Sequence, residues 1–175
     1  MHDLPEKQTL CRGKFIAMVS VGGWEFVERT RGNTPVGIIA MTPDRRVLLI
    51  SQFRVPLAAE VIEIPAGLVG DHDGDENEAW ELAAQRELFE ETGYSAECVE
   101  LLSEGPTSAG LASERIMLVR ASGLTKRGAA QGDGTEQITL HEVPLAEVDA
   151  WLAAKFRAGV LIDPKVYAAL YFLGK

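Results

Sequence analysis

Three glutamates, Glu87, Glu90 and Glu91, form the densest cluster of potentially reactive groups in the chain. They lie in the stretch 78–94, EAWELAAQRELFEETGY, which predicts one helix of about four turns ended by Gly93. Spacings of three and four put all three carboxylates on one helix face. That arrangement is unfavourable by itself. Like charges at these spacings repel by about 0.2–0.5 kcal/mol per pair. The negative end of the helix dipole adds roughly 0.3–1 kcal/mol for each nearby anion. Ala83 and Ala84, one turn earlier, are too short to screen the acids. A cation relieves such a helix, and hard divalent ions such as Mg²⁺ prefer carboxylate oxygens. On spacing alone, a solvated acidic face explains these residues equally well.

The neighbouring residues separate the two readings. Glu78, seven residues, then Arg86-Glu87-Leu88-Phe89-Glu90-Glu91-Thr92-Gly93-Tyr94 resembles the signature of the Nudix hydrolases. That motif reads glycine, five residues, glutamate, seven residues, then Arg-Glu-apolar-x-Glu-Glu-x-Gly-apolar. There is one departure. The motif's glycine would stand at position 72, which is His72; the glycine that fits is Gly67, ten residues before Glu78 instead of five. A five-residue insertion within 70–74 accounts for the difference, since loop closure entropy grows slowly with length. The resemblance implies a mixed fold, α+β in class, in which a sheet is flanked by helices as an α/β/α sandwich with an N-terminal β-hairpin. It implies hydrolysis of a nucleoside diphosphate linked to another group, with Mg²⁺ as cofactor and Mn²⁺ as a substitute. Glu87, Glu90 and Glu91 are then metal ligands, with Glu91 central to catalysis and the backbone carbonyl of Ala66 a further ligand. Arg86 and Glu78 are implied to tie the helix to its loop and orient those ligands.

Other segments resemble the ADP-ribose pyrophosphatase branch of that family. In Trp24-Glu25-Phe26-Val27-Glu28-Arg29-Thr30 the resemblance implies that Trp24 stacks on a base and Arg29 reaches the ligand, across the interface of a homodimer. Ser51-Gln52-Phe53-Arg54 resembles a strand end whose arginine, here Arg54, binds the ribose or phosphate region. Glu63-Ile64-Pro65-Ala66-Gly67 resembles the segment that precedes the motif. An aromatic face for a base and guanidinium forks for phosphate oxygens are chemically coherent. Outside the resemblance, Trp24 reads equally as packing, and Arg29 and Arg54 as surface ion pairs. The attacking water needs a base, and the Gly-x-Glu-x-Ile pattern before a strand resembles that branch and implies Glu136 as base or extra metal ligand; Asp133 is its rival, and a solvated loop acid is the reading outside the resemblance. The segment 105–110 loosely resembles a substrate loop, and Glu114 behind it is a further candidate. The leading expectation is cleavage of ADP-ribose to AMP and ribose 5-phosphate. GDP-mannose or another nucleotide sugar is the alternative substrate, and a non-catalytic nucleotide-binding module the alternative class.

The elements that must position these residues follow from patterning. Alternation over 14–30 around Gly22-Gly23 predicts a β-hairpin. Apolar runs at 36–41 and 47–53, joined by 42–46, predict a second. Strands are expected at 61–64, 97–102, 116–121 and 137–143, with loops at 65–67, 104–113 and 126–134. Helices are expected over 144–156, with Pro144 in the first turn, and from Asp163-Pro164 to about Phe172. The 175 residues fit one domain, with 1–35 as strands serving dimerisation and 36–175 as the core. A net charge of −9 argues against nucleic acid as partner. No apolar run approaches membrane-spanning length and the N-terminus lacks a signal peptide's apolar core, so a cytoplasmic location without membrane association is expected. Asp71-x-Asp73-x-Asp75 mimics a calcium loop, but Glu76 and Leu82 stand where that loop needs glycine and a bidentate acid. Cys11, Cys98, His2, His72 and His141 lack partners at ligand spacing.

Overall fold

The computed structural model describes residues 4–31, 34–70, 78–130 and 137–174. The chain begins with β1 (Gln8–Arg12), β2 (Ile16–Val21), β3 (Trp24–Arg29), β4 (Pro35–Ala40) and β5 (Arg46–Arg54). It continues through β6 (Ala59–Glu63), β7 (Ala66–Leu68), α1 (Trp80–Thr92), β8 (Tyr94–Ser95), β9 (Cys98–Pro106) and β10 (Arg115–Ser122). β11 (Thr125–Lys126), β12 (Thr139–Pro144), α2 (Val148–Arg157), β13 (Leu161–Ile162) and α3 (Pro164–Phe172) complete it. Strands β1-β2-β3 form an antiparallel sheet. A second sheet has the order β7-β4-β10-β9, with β4 and β10 parallel. A third has the order β12-β5-β6-β13, with β6 and β13 parallel. Among the described residues, no helix is long and apolar enough to cross a membrane.

Two apolar layers explain the mixed α/β architecture. Every residue of β4 is buried, and its alternate side chains serve different cores. Val36, Ile38 and Ala40 pack with Leu48 of β5 and with Ala83, Ala84 and Leu88 of α1. Ile39 instead joins Val47, Leu49 and Ile62 against Val148 and Leu152 of α2 and Val166, Ala169 and Leu170 of α3. Strand alternation thus puts α1 on one side and α2 and α3 on the other. The fold class expected from the sequence is the one observed.

The largest correction concerns β4 and β5. A hairpin was the natural reading of two apolar runs joined by five polar residues. The two strands meet only at the bridge Met41–Val47 and then diverge into separate sheets. A hairpin with one wet face would alternate apolar and polar side chains. These strands are instead apolar on both faces and need cover on each side. Strand β1 was not foreseen: all five residues are exposed, and it is held by edge pairing to β2 with a register shift between Thr9 and Cys11. Ala66 and Gly67, expected within a turn at 65–67, join Leu68 in β7 and pair with Gly37, Val36 and Pro35. Pro144 is the last residue of β12, not part of α2, which starts at Val148. Strand β9 extends to Pro106, into the expected 104–113 loop, and β10 begins just beyond it at Arg115. His141 Nε2 lies 2.9 Å from Ser51 Oγ, and its ring is tilted against Trp151.

Two local devices were legible. Gly22 and Gly23 have φ of 58° and 88°, the positive pair that a two-residue hairpin turn demands. Asp163 caps α3 by accepting from the Lys165 N–H at 2.7 Å, ahead of Pro164 in the first turn.

Gly93 ends α1 with φ 74° and donates to the Phe89 carbonyl at 2.8 Å. A Cβ there would lie 2.3 Å from the Gly128 carbonyl oxygen. Gly93→Ala is therefore expected to destabilise the fold by at least about 1–2 kcal/mol, the left-handed penalty for an L-residue. Urea unfolding of the two proteins checks this.

Candidate active site

The acid helix and the strand β7 face each other. Residue 65 is proline and residue 67 glycine, so the chain turns out of β6 and runs beneath the end of α1. Glu91 is 4% exposed, and its Oε2 accepts the Ala66 N–H at 2.9 Å. Glu87 is 8% exposed, and its carboxyl lies directly against Gly67. A Cβ at position 67 would sit 1.9 Å from the Glu87 Cδ, so a glycine here is a condition for Glu87 to be where it is. Ala83 and Ala84 are fully buried, which lets α1 lie close to β4.

Arg86 holds this group together. Its Nε and Nη2 donate to the two oxygens of Glu78, each at 3.2 Å. Nη2 also donates to the Leu68 carbonyl at 3.2 Å. Nη1 donates to Glu87 at 2.8 Å and to Glu90 at 3.2 Å. Glu78 precedes α1 rather than lying in it, and accepts the Gly70 N–H at 2.9 Å. Burial pulls the Arg86 pKa down, but the hydrogen bond to Glu78 and the charge of Glu87 outweigh it and push it above the ordinary arginine value. One guanidinium thus meets three carboxylates in a half-buried setting. Among the described residues, no group of three or more acid, histidine or cysteine side chains is gathered as a ready metal cage. Arg86 Nη1 stands between Glu87 and Glu90, and Glu91 is turned to the Ala66 N–H.

A cavity of about 430 Å³ opens over this helix end, within the range of small-molecule sites. Glu87, Glu90, Glu91, Ala66 and Gly67 line one wall; Arg29, Arg54 and Lys165 line others. Each wall cation is held by an acid. Arg54 forks onto Glu63, with Nε at 3.0 Å and Nη2 at 2.8 Å from Oε2, and Gln52 braces the same oxygen at 3.0 Å. Arg29 bonds Glu114 through Nε at 2.6 Å, and the Thr107 hydroxyl donates to the other Glu114 oxygen at 3.2 Å. Lys165 pairs with Asp163.

The structure therefore brings Glu87, Glu90, Glu91, Ala66, Arg86, Arg29 and Arg54 to one cavity. It does not bring Trp24 there. Trp24 is 71% exposed at the far end of β3 from Arg29, about 17 Å away along an extended strand. Glu136 and Asp133, and all of the insertion expected within 70–74 except Gly70, lie outside the described residues. Glu63, Gln52, Thr107 and Lys165 were not singled out from the sequence as site residues. Glu63 and Gln52 sit in segments already matched to the family, so a signal existed. Lys165 gave none, because it reaches the cavity only through the parallel pairing of β6 and β13 that carries α3 there.

A family model described as NUDIX domain matches residues 33–163. The methanol dehydrogenase activator of Bacillus methanolicus is 36% identical over 139 residues, 79% of this chain and 70% of that protein. An ADP-ribose pyrophosphatase of Bacillus subtilis is 36% identical over 90 residues, 51% of this chain and 46% of that one. A GDP-mannose pyrophosphatase of Cronobacter sakazakii is 32% identical over 151 residues, 82% of this chain and 74% of that one. The crystal structure of an ADP compounds hydrolase superposes with a TM-score of 0.67 at 23% identity, covering 86% of this chain and 82% of that one, and so shares the fold.

Gly67→Ala is expected to cost roughly 1–3 kcal/mol, the scale of overpacking. Glu87→Ala in the same chain should relieve most of that loss. A thermal-melt double-mutant cycle checks the coupling; additive losses would show that the two residues do not compete for space.

Proposed function

We propose a reaction for this protein from one premise: the chain belongs to the Nudix family of hydrolases. The reaction is divalent-metal-dependent hydrolysis of the pyrophosphate bond of a nucleoside diphosphate sugar. ADP-ribose, cleaved to AMP and ribose 5-phosphate, is the substrate we favour. The observation that carries this reading is one cavity with a carboxylate wall at Glu87, Glu90 and Glu91 and guanidinium forks at Arg29 and Arg54. A pyrophosphate needs both: cations against its oxygens and a place for the metal that accompanies them.

The donor set fits a hard divalent ion such as Mg²⁺. It consists of carboxylate oxygens, with the Ala66 carbonyl as a neutral donor, and Gly67 leaves room for the Glu87 carboxyl. Bound there, such an ion would neutralise phosphate oxygens and lower the pKa of an attacking water. The protein's own contribution is positional. Arg86 and the Ala66 N–H fix the carboxylates, with Glu78 holding Arg86 in turn. Arg54 is aimed by Glu63, and Arg29 by Glu114, at the phosphate and sugar region. Glu136 is our candidate for the base that takes the proton of the attacking water. The water oxygen bonds to phosphorus, the bridging P–O bond breaks, and the leaving phosphate departs with that oxygen.

Relatives named ADP-ribose pyrophosphatase and GDP-mannose pyrophosphatase support the substrate class and leave the base open. We further propose a homodimer. Ile16, Met18 and Trp24 are exposed on the N-terminal sheet, and Trp24 is remote from the cavity of its own chain. In a dimer it would serve the partner's cavity.

Incubation with nucleotide sugars at equal concentration, with Mg²⁺ and then with chelator, tests the reaction. AMP and ribose 5-phosphate from ADP-ribose, lost with chelator, are expected; a clear preference for a guanine sugar would replace the substrate. Glu91→Gln should lower kcat by orders of magnitude with an unchanged circular dichroism spectrum, since the amide oxygen still accepts the Ala66 N–H. If wild type yields no metal-dependent products from any nucleotide sugar, a nucleotide-binding module is the better reading.

A further inference from the structure

We propose that Arg86 is a built-in competitor of the divalent ion, an internal cation that must give up part of the acid cluster when metal binds. This rests on the metal reading above and goes beyond the role of Arg86 as a strut. The guanidinium has two working edges. Nε and Nη2 anchor it to Glu78 and to the Leu68 carbonyl, a pairing that involves none of the three cluster acids. Nη1 points the other way and bridges Glu87 and Glu90, at 2.8 and 3.2 Å. That bridging edge puts positive charge between two carboxylates assigned to the metal.

Two consequences follow from the electrostatics. Without metal, the acid helix already has a counter-ion, so the fold does not depend on an ion being present. With metal, a divalent charge enters beside a fixed unit charge of the same sign. The ion therefore binds more weakly than three carboxylates alone would allow. The anchoring edge lets Nη1 withdraw while Nε and Nη2 stay bound to Glu78, so the two cations can share the cluster. Glu90 is the more exposed of the bridged pair and has the longer contact with Arg86, which makes that contact the first to yield.

Removing a bracing residue ordinarily weakens a metal site, whereas removing Arg86 should strengthen this one. Arg86→Gln should melt at lower temperature than wild type without metal, yet bind Mn²⁺ about tenfold more tightly by isothermal titration. Repulsion between a unit and a divalent cation held against the same carboxylates would have that scale even in water. Its melting temperature should also rise more on Mn²⁺ addition than that of wild type. Arg86→Lys, which keeps the charge, should stay near wild type in affinity. In wild type, the ¹⁵N signals of the Arg86 Nη groups should shift on saturation with Mg²⁺ while Nε changes little. Weaker or equal Mn²⁺ binding by Arg86→Gln overturns the proposal. So do Nη signals that do not respond to saturating Mg²⁺, a measurement that decides the matter even if the variant does not fold. If wild type shows no saturable Mn²⁺ binding that Glu91→Gln weakens, the metal assignment itself fails, and this inference with it.

Discussion

Crowding carboxylates at the C-terminal end of a helix is the constraint on which this structure turns. The helix dipole and mutual repulsion both oppose it. The chain answers with one guanidinium and one backbone amide. Arg86 reaches Glu78, Glu87 and Glu90 at once, and the Ala66 N–H takes Glu91. Burial makes both answers stronger, because charge-assisted hydrogen bonds gain in a low dielectric. It also makes them obligatory, since an unpaired buried charge is far more expensive than a paired one. Among the described residues, no buried side-chain polar atom lacks a hydrogen-bond partner.

That cluster exists only because β7 lies against α1. Strand β7 is three residues long and edges the second sheet by pairing with β4. Its backbone supplies the amide at Ala66, the carbonyl at Leu68 and the missing side chain at Gly67. β4 in turn is buried on both faces and sits between two cores. The carboxylates are therefore braced from the centre of the fold rather than from a surface loop, which suits a site that needs fixed geometry.

The cation side of the cavity is built differently. Arg54 and Glu63 both belong to the β5–β6 hairpin; the register sets Arg54 opposite Ala59 and Glu63 opposite Ile50, and the long Arg54 side chain reaches along the sheet to the carboxylate. Arg29 comes from the N-terminal sheet and meets Glu114, which lies just before β10. Their pairing spans 85 positions of sequence. In both cases a carboxylate fixes the plane of the guanidinium, which limits how much side-chain entropy a ligand must remove on binding.

Part of this was written in the sequence. Residue spacing alone put Glu87, Glu90 and Glu91 on one face, ended α1 at Gly93, turned the chain at Gly22-Gly23 and started α3 at Asp163-Pro164. These are local properties, set by helical period, φ preference and capping within a few residues. The mixed fold followed from the motif and the interleaving of apolar runs. Other features could be decided only by tertiary structure. The separation of β4 and β5 into different sheets depends on what covers their second faces, and a local apolar run carries no record of that. β1 has no apolar alternation to betray it, since it exists by edge pairing alone. Arg86 reaching the Leu68 carbonyl, Gly67 yielding space to Glu87, Glu63 aiming Arg54 and Lys165 arriving on the cavity wall are all contacts between elements. Each depends on how those elements pack, so no spacing rule along the chain could have announced it.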